Sequence, residues 1–108
     1  LAASGNTPFT CKVLEKAKSS RALTIAISNN PKGKILEYGH HKIILNTKEE
    51  LVAGSTRLKA GTAQKICLNI ISSMVMIKMG RVKNGFMNEM VPTNDKLRLR
   101  KKIINSNK

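Results

Sequence analysis

Tryptophan is absent from the 108-residue sequence, and its only aromatic residues are Phe9, Tyr38 and Phe86. A core built from this chain must therefore be aliphatic, and there is little on which nucleic-acid bases could stack. Acidic residues are also scarce: 6 Asp and Glu against 20 Lys and Arg, for a formal net charge of +14. An excess of that size invites a nucleic acid or an anionic surface as partner. The lysines are spread along the chain, however, with a cluster only at Arg98–Lys102, and no zinc-finger or RNA-recognition spacing is present. No nucleic-acid partner is expected. The two cysteines, Cys11 and Cys67, are far apart and form no CxxC pair, which favours buried free thiols over a disulfide or a metal site. No run of about 20 apolar residues and no signal peptide are visible, so a soluble cytoplasmic protein without a membrane partner is expected.

What is present is a globular composition, 41% hydrophobic, at the length of one small domain. "LAAS" (1–4) reads as the end of a strand and runs into Gly5. Thr7 suits an N-cap and Pro8 a first helical position, predicting a helix over 8–19 with Phe9, Val13, Leu14 and Ala17 on its apolar face. "ALTIAIS" (22–28) and "KIILN" (42–46) read as buried strands separated by the turn-rich "NNPKGK". From Thr62 to Met79 the apolar positions keep a helical period, with enough extra apolar residues to predict a helix buried on most sides and stopped at Gly80. The segment "RVKNGFMNEMVP" reads as irregular, and a basic helix is predicted over 95–105. Alternating strands and helices argue for an α/β fold with a parallel sheet. Three strands with partial helical cover imply that about half of a larger doubly wound domain lies outside the chain on the N-terminal side.

Two segments could carry chemistry. In "AASGNTP", Ser4 and Gly5 fall between a strand and a helix N-terminus, where ligands bind in open parallel sheets and where backbone N–H groups favour an anion. In "AGSTRLKAGTAQK" (53–65), Ser55 and Thr56 lie on a loop, Lys59 supplies charge and Gly61-Thr62 open a helix, although GxxxxGK[ST] is absent. Ordinary helix capping explains either segment equally well on these grounds alone. Glu49 and Glu50 precede the second segment, and a carboxylate there could bond a sugar hydroxyl or move a proton, although ordinary surface charge is the reading the residues alone favour. His40 and His41, adjacent on a predicted strand, point to opposite faces and do not form a metal pair.

Taken together, "LAASGNTPF", "LTIAISNNP", "AGSTRLKAGTAQK" and "PTNDKLR" resemble the C-terminal half of the N-acetylmuramic acid 6-phosphate etherases, whose fold is the sugar isomerase (SIS) domain shared with the glucokinase regulatory protein. The resemblance covers residues 1–105. It implies the C-terminal part of a flavodoxin-like α/β/α sandwich with a parallel sheet, divided here into a partial sugar-phosphate-binding domain (1–90) and a basic helical extension (91–108). It implies a lyase that cleaves the D-lactyl ether of N-acetylmuramic acid 6-phosphate, giving N-acetylglucosamine 6-phosphate and D-lactate in peptidoglycan recycling, with no metal or organic cofactor. It also implies a homodimer. The implied substrate-binding residues are Ser4, Gly5, Asn6, Thr7, Glu50, Ser55, Thr56, Lys59 and Thr62. Asn6 stands where the family pattern has arginine, and Lys48-Glu49 where it has Gly-Pro. The family's first phosphate loop and both acid-base glutamates fall upstream of residue 1. The chain alone is thus expected to hold no catalytic residue and to be inactive, the alternative being a non-catalytic sugar-phosphate-binding module.

Overall fold

The computed structural model describes residues 1–87 and 89–106. It is mixed α/β and divides into two compact units, Leu1–Leu68 and Asn69–Lys108.

In the first unit, Thr7 takes an extended conformation and Pro8 opens helix α1 (Pro8–Ser19). Proline is suited to this place because its missing N–H would have no helical partner there. The helix ends through Ser20, whose N–H bonds the Lys16 carbonyl. Strand β1 (Ile25–Ser28) pairs in parallel with strand β2 (His41–Ile44), in the register Ile25↔His41 to Ser28↔Ile44. The crossover between them carries a short 3-10 helix, Lys34–Tyr38. Residues 1–4, expected as a strand, form no regular structure and enter a bend at 3–5, yet the Ala2 N–H bonds the Ile27 carbonyl and the Asn29 N–H bonds the Ala3 carbonyl. Two such bonds hold the segment against β1 without a regular ladder.

The core of this unit is small and aliphatic: Ala2, Cys11, Ala26, Ile35 and Leu36, with Leu14 and Tyr38 packed against it. The buried side of α1 thus runs through Cys11 and Leu14. Phe9, assigned to that side by its spacing, is 75% exposed, and Val13 is exposed too. The i, i+4 spacing of Phe9 and Val13 and the i, i+3 spacing of Cys11 and Leu14 are both helical, so periodicity alone does not distinguish two adjacent stripes when cysteine is the residue that packs.

Helix α2 (Lys59–Lys78) begins three residues earlier than its period suggests. Its expected burial is not observed: Ala60 is its buried residue, and Ile66, Leu68, Ile70, Met74, Val75, Met76 and Ile77 are exposed. A helix apolar on all sides requires cover on all sides, and the described residues supply it only near the first turn. By length and composition alone α2 could cross a membrane, a measure that core helices of soluble proteins also meet.

In the second unit, strands β3 (Val82–Lys83) and β4 (Phe86–Met87) form an antiparallel hairpin where irregular chain is expected. Asn84 (φ 50°) and Gly85 (φ 78°) make its two-residue turn, the Asn-Gly chemistry such hairpins favour. Helix α3 (Asp95–Ser106) follows, capped by Asn94 Oδ1, which accepts from the Leu97 N–H at 3.0 Å.

Candidate functional site

The site builds up at the carboxyl ends of β1 and β2, where open parallel sheets bind ligands. The first element is the loop 4–7. Gly5 has φ +72°, and a Cβ there would lie 2.4 Å from Gly33 Cα and 2.7 Å from Ser28 Oγ. Only glycine allows both this backbone conformation and the close approach of the two chain segments. The Gly5 carbonyl accepts from the Ile35 N–H at 2.8 Å and from the Cys11 thiol at 3.6 Å, joining the loop to the crossover helix and to α1. Ser4 Oγ accepts from the Asn6 N–H at 3.3 Å and retains its own proton for donation. The Asn6 side chain is committed: its Oδ1 accepts from the Lys34 N–H at 3.0 Å. An arginine at that position offers donors only and could not make this tie. A cavity of about 430 Å³ beside it is lined by Asn6, Lys12, Glu15, Lys34 and Tyr38 among others; Lys12 is paired there with Glu15 at 2.9 Å. Thr7 makes no side-chain cap; its carbonyl takes the Thr10 hydroxyl and the Cys11 N–H.

The second element is the loop from Glu50 into α2. Glu50 Oε2 accepts from the Lys59 N–H at 3.0 Å and Oε1 from the Ala60 N–H at 2.9 Å. These bonds and the Lys59 charge hold the Glu50 carboxyl below its ordinary value, against a smaller opposing effect of burial; the Ala60 bond is the largest cause. Lys59 Nζ donates to the Glu49 carbonyl. Thr62 Oγ1 donates to the Leu58 carbonyl at 2.9 Å. Glu50, Lys59 and Thr62 are therefore engaged within the loop and helix start, whereas the Ser55 and Thr56 hydroxyls have no partner among the described residues.

The two groups of sequence-selected residues share no hydrogen bond. Two residues that sequence reasoning did not select, Asn29 and Asn30, tie each of them to the sheet end. Asn30 Nδ2 donates to the Ser4 carbonyl at 3.0 Å. Asn29 Nδ2 donates to the Leu45 carbonyl and to Thr47 Oγ1, and its Oδ1 accepts from Gln64 Nε2 of α2 at 2.7 Å. Asn29 and Asn30, with Pro31, Asn46, Lys48 and Glu49, line an open cavity of about 670 Å³. The available signal was the Asn-Asn pair directly after a buried strand of a parallel sheet. The described residues contain no group of three or more potential metal ligands. The arrangement offers neutral donors, backbone N–H groups and lysines, a set suited to an oxyanion bearing hydroxyls.

The chain is also similar to known proteins. The chain is 47% identical over 104 residues to an N-acetylmuramic acid 6-phosphate etherase of Francisella philomiragia, covering 96% of this chain. It is a relative of these etherases. Similar matches are found to proteins of the same name from Shouchella clausii (45% over 104 residues) and Pseudothermotoga lettingae (47% over 100 residues). The chain spans about a third of the length of these etherases: 35%, 35% and 33% respectively. No protein-family profile matches the chain. The etherase match extends over both chemistry-bearing segments and both compact units.

Proposed function

We propose that this chain forms one wall of a sugar-phosphate site in an etherase of the SIS type. The observation that carries the reading is the 47% identity to a named etherase across 96% of the chain. In this reading Ser4, Gly5, Asn6 and Thr7 receive the phosphoryl group, with Lys34 supplying charge nearby. Ser55 and Thr56 offer hydroxyls from the second loop. Thr62 and Lys59 support that loop from within, and Glu50 fixes its end. The complete protein cleaves the D-lactyl ether of N-acetylmuramic acid 6-phosphate in the cytoplasm as a homodimer. Glu50 takes no part in acid-base chemistry in this reading, because both of its carboxylate oxygens are occupied by backbone N–H groups.

The test is a chimera in which this chain replaces the matching third of the Francisella philomiragia etherase, assayed for D-lactate release from N-acetylmuramic acid 6-phosphate beside the chain alone. The chimera is expected to release D-lactate and the chain alone none. Release by the chain alone would overturn its non-catalytic role. A folded chimera that neither binds nor turns over the sugar phosphate would overturn the whole reading.

A further inference from the structure

A helix start rich in glycine, hydroxyls and lysine suggests a seat for phosphate, and the N-terminus of α2 has that composition. Its geometry points elsewhere. We propose that Glu50 is a positioning residue that occupies the N-terminus of α2 with the chain's own carboxylate, so that the substrate's anion is directed away from this helix end to the loop at Ser4–Thr7. The inference rests on the sugar-phosphate reading for the identity of the anion, but not for the role of Glu50.

Three observations carry it. The two carboxylate oxygens of Glu50 are matched one to one with the N–H groups of Lys59 and Ala60, at 3.0 and 2.9 Å. These first-turn donors lack helical partners and would otherwise face an incoming anion. The ammonium of Lys59, the first residue of the helix, turns back to the Glu49 carbonyl. The loop thus closed, from Glu50 to Lys59, is otherwise built from short turns: the Ser55 N–H bonds the Val52 carbonyl, the Thr56 N–H the Gly54 carbonyl and the Gly61 N–H the Thr56 carbonyl. Glu50 joins the two ends of that loop through its side chain. It therefore sets where the Ser55 and Thr56 hydroxyls stand, and it leaves no vacancy at the helix end for a phosphoryl group. A phosphate binding there would have to displace a carboxylate already at hydrogen-bond distance.

Amide NMR on the full chain tests this, comparing the unmodified protein with Glu50→Ala and Glu50→Gln under titration with inorganic phosphate. In the unmodified protein, the Lys59 and Ala60 amides should exchange slowly and should not shift with phosphate. In Glu50→Ala they should exchange at least about tenfold faster, as expected on loss of a charged cap. They should also shift newly with phosphate, because the vacated helix end takes the anion. Mere fraying of the helix would give the faster exchange without the phosphate response. Glu50→Gln, which preserves side-chain size, should respond in the same direction but more weakly, and serves if the alanine variant unfolds. Phosphate shifts at Lys59 and Ala60 in the unmodified protein, or unchanged exchange in both variants, would overturn the proposal. Failure of N-acetylmuramic acid 6-phosphate to bind anywhere would instead count against the functional reading and leave the exchange result standing.

Discussion

Glu50 shows how one carboxyl can be read in two ways. By position it is a candidate to touch a sugar; in the structure it accepts from two backbone N–H groups. Its folded-state pKa is lowered, so its contribution to stability is present above its ordinary value of 4.5 and lost as pH falls through the folded value. Helicity measured by circular dichroism should accordingly fall below about pH 4.5, and Glu50→Gln should flatten that part of the profile. Gly5 makes a different demand. Gly5→Ala combines a positive φ with a Cβ 2.4 Å from Gly33 Cα, and should lower stability by roughly 2–4 kcal/mol in urea unfolding. The need for glycine at position 5 was legible from its place between strand and helix. Its contact with Gly33 was not, because it joins segments 28 residues apart through a crossover. Asn6 was legible only as a missing charge; its bond to the Lys34 N–H depends on where the crossover helix lies.

At the scale of elements, local signals succeeded where one residue type decides the geometry. Thr7-Pro8 placed the start of α1, and β1 occupies the last four residues of "ALTIAIS". Asn84-Gly85 carried the β3–β4 turn in plain view, but strands of two residues are too short for alternation to show. α2 marks the opposite limit. Its pattern demands burial, and the described residues do not bury it, because a hydrophobic period reports what a helix was selected to pack against and not whether that partner is in hand. Ile70 is 58% exposed and Ile35 1%. Ile70→Glu should therefore change the stability of this chain by no more than about 0.5 kcal/mol, whereas Ile35→Ala should cost about 2–5 kcal/mol. Equilibrium denaturation of both variants tests the contrast.

At the scale of the molecule, the parallel pairing of β1 with β2 and the crossover between them followed from the order of strand and helix signals. Residues 1–4 failed as a strand because their two backbone bonds to the β1 edge do not repeat in ladder register. The candidate site was half legible. Both loops were found from glycine, hydroxyl and capping chemistry, while Asn29, Asn30 and Gln64, which fasten them to the sheet end, act through contacts that no local pattern encodes. A chain of net charge +14 should bind a phosphorylated sugar more weakly as salt rises, since exposed charges are screened over about 10 Å at 0.1 M. The exposed apolar residues of α2 should bind a hydrophobic dye, and that binding should diminish in the chimera, where the remainder of the etherase fold is supplied.

In the proposed function the loop at Ser4–Thr7 receives the phosphoryl group of an amino sugar. The most direct test is an amide NMR titration of the chain with N-acetylmuramic acid 6-phosphate. Saturable shifts at Ser4, Gly5, Asn6 and Thr7, with Lys59 and Ala60 unmoved, are the predicted result. No shift at that loop, or shifts confined to the start of α2, would contradict the account.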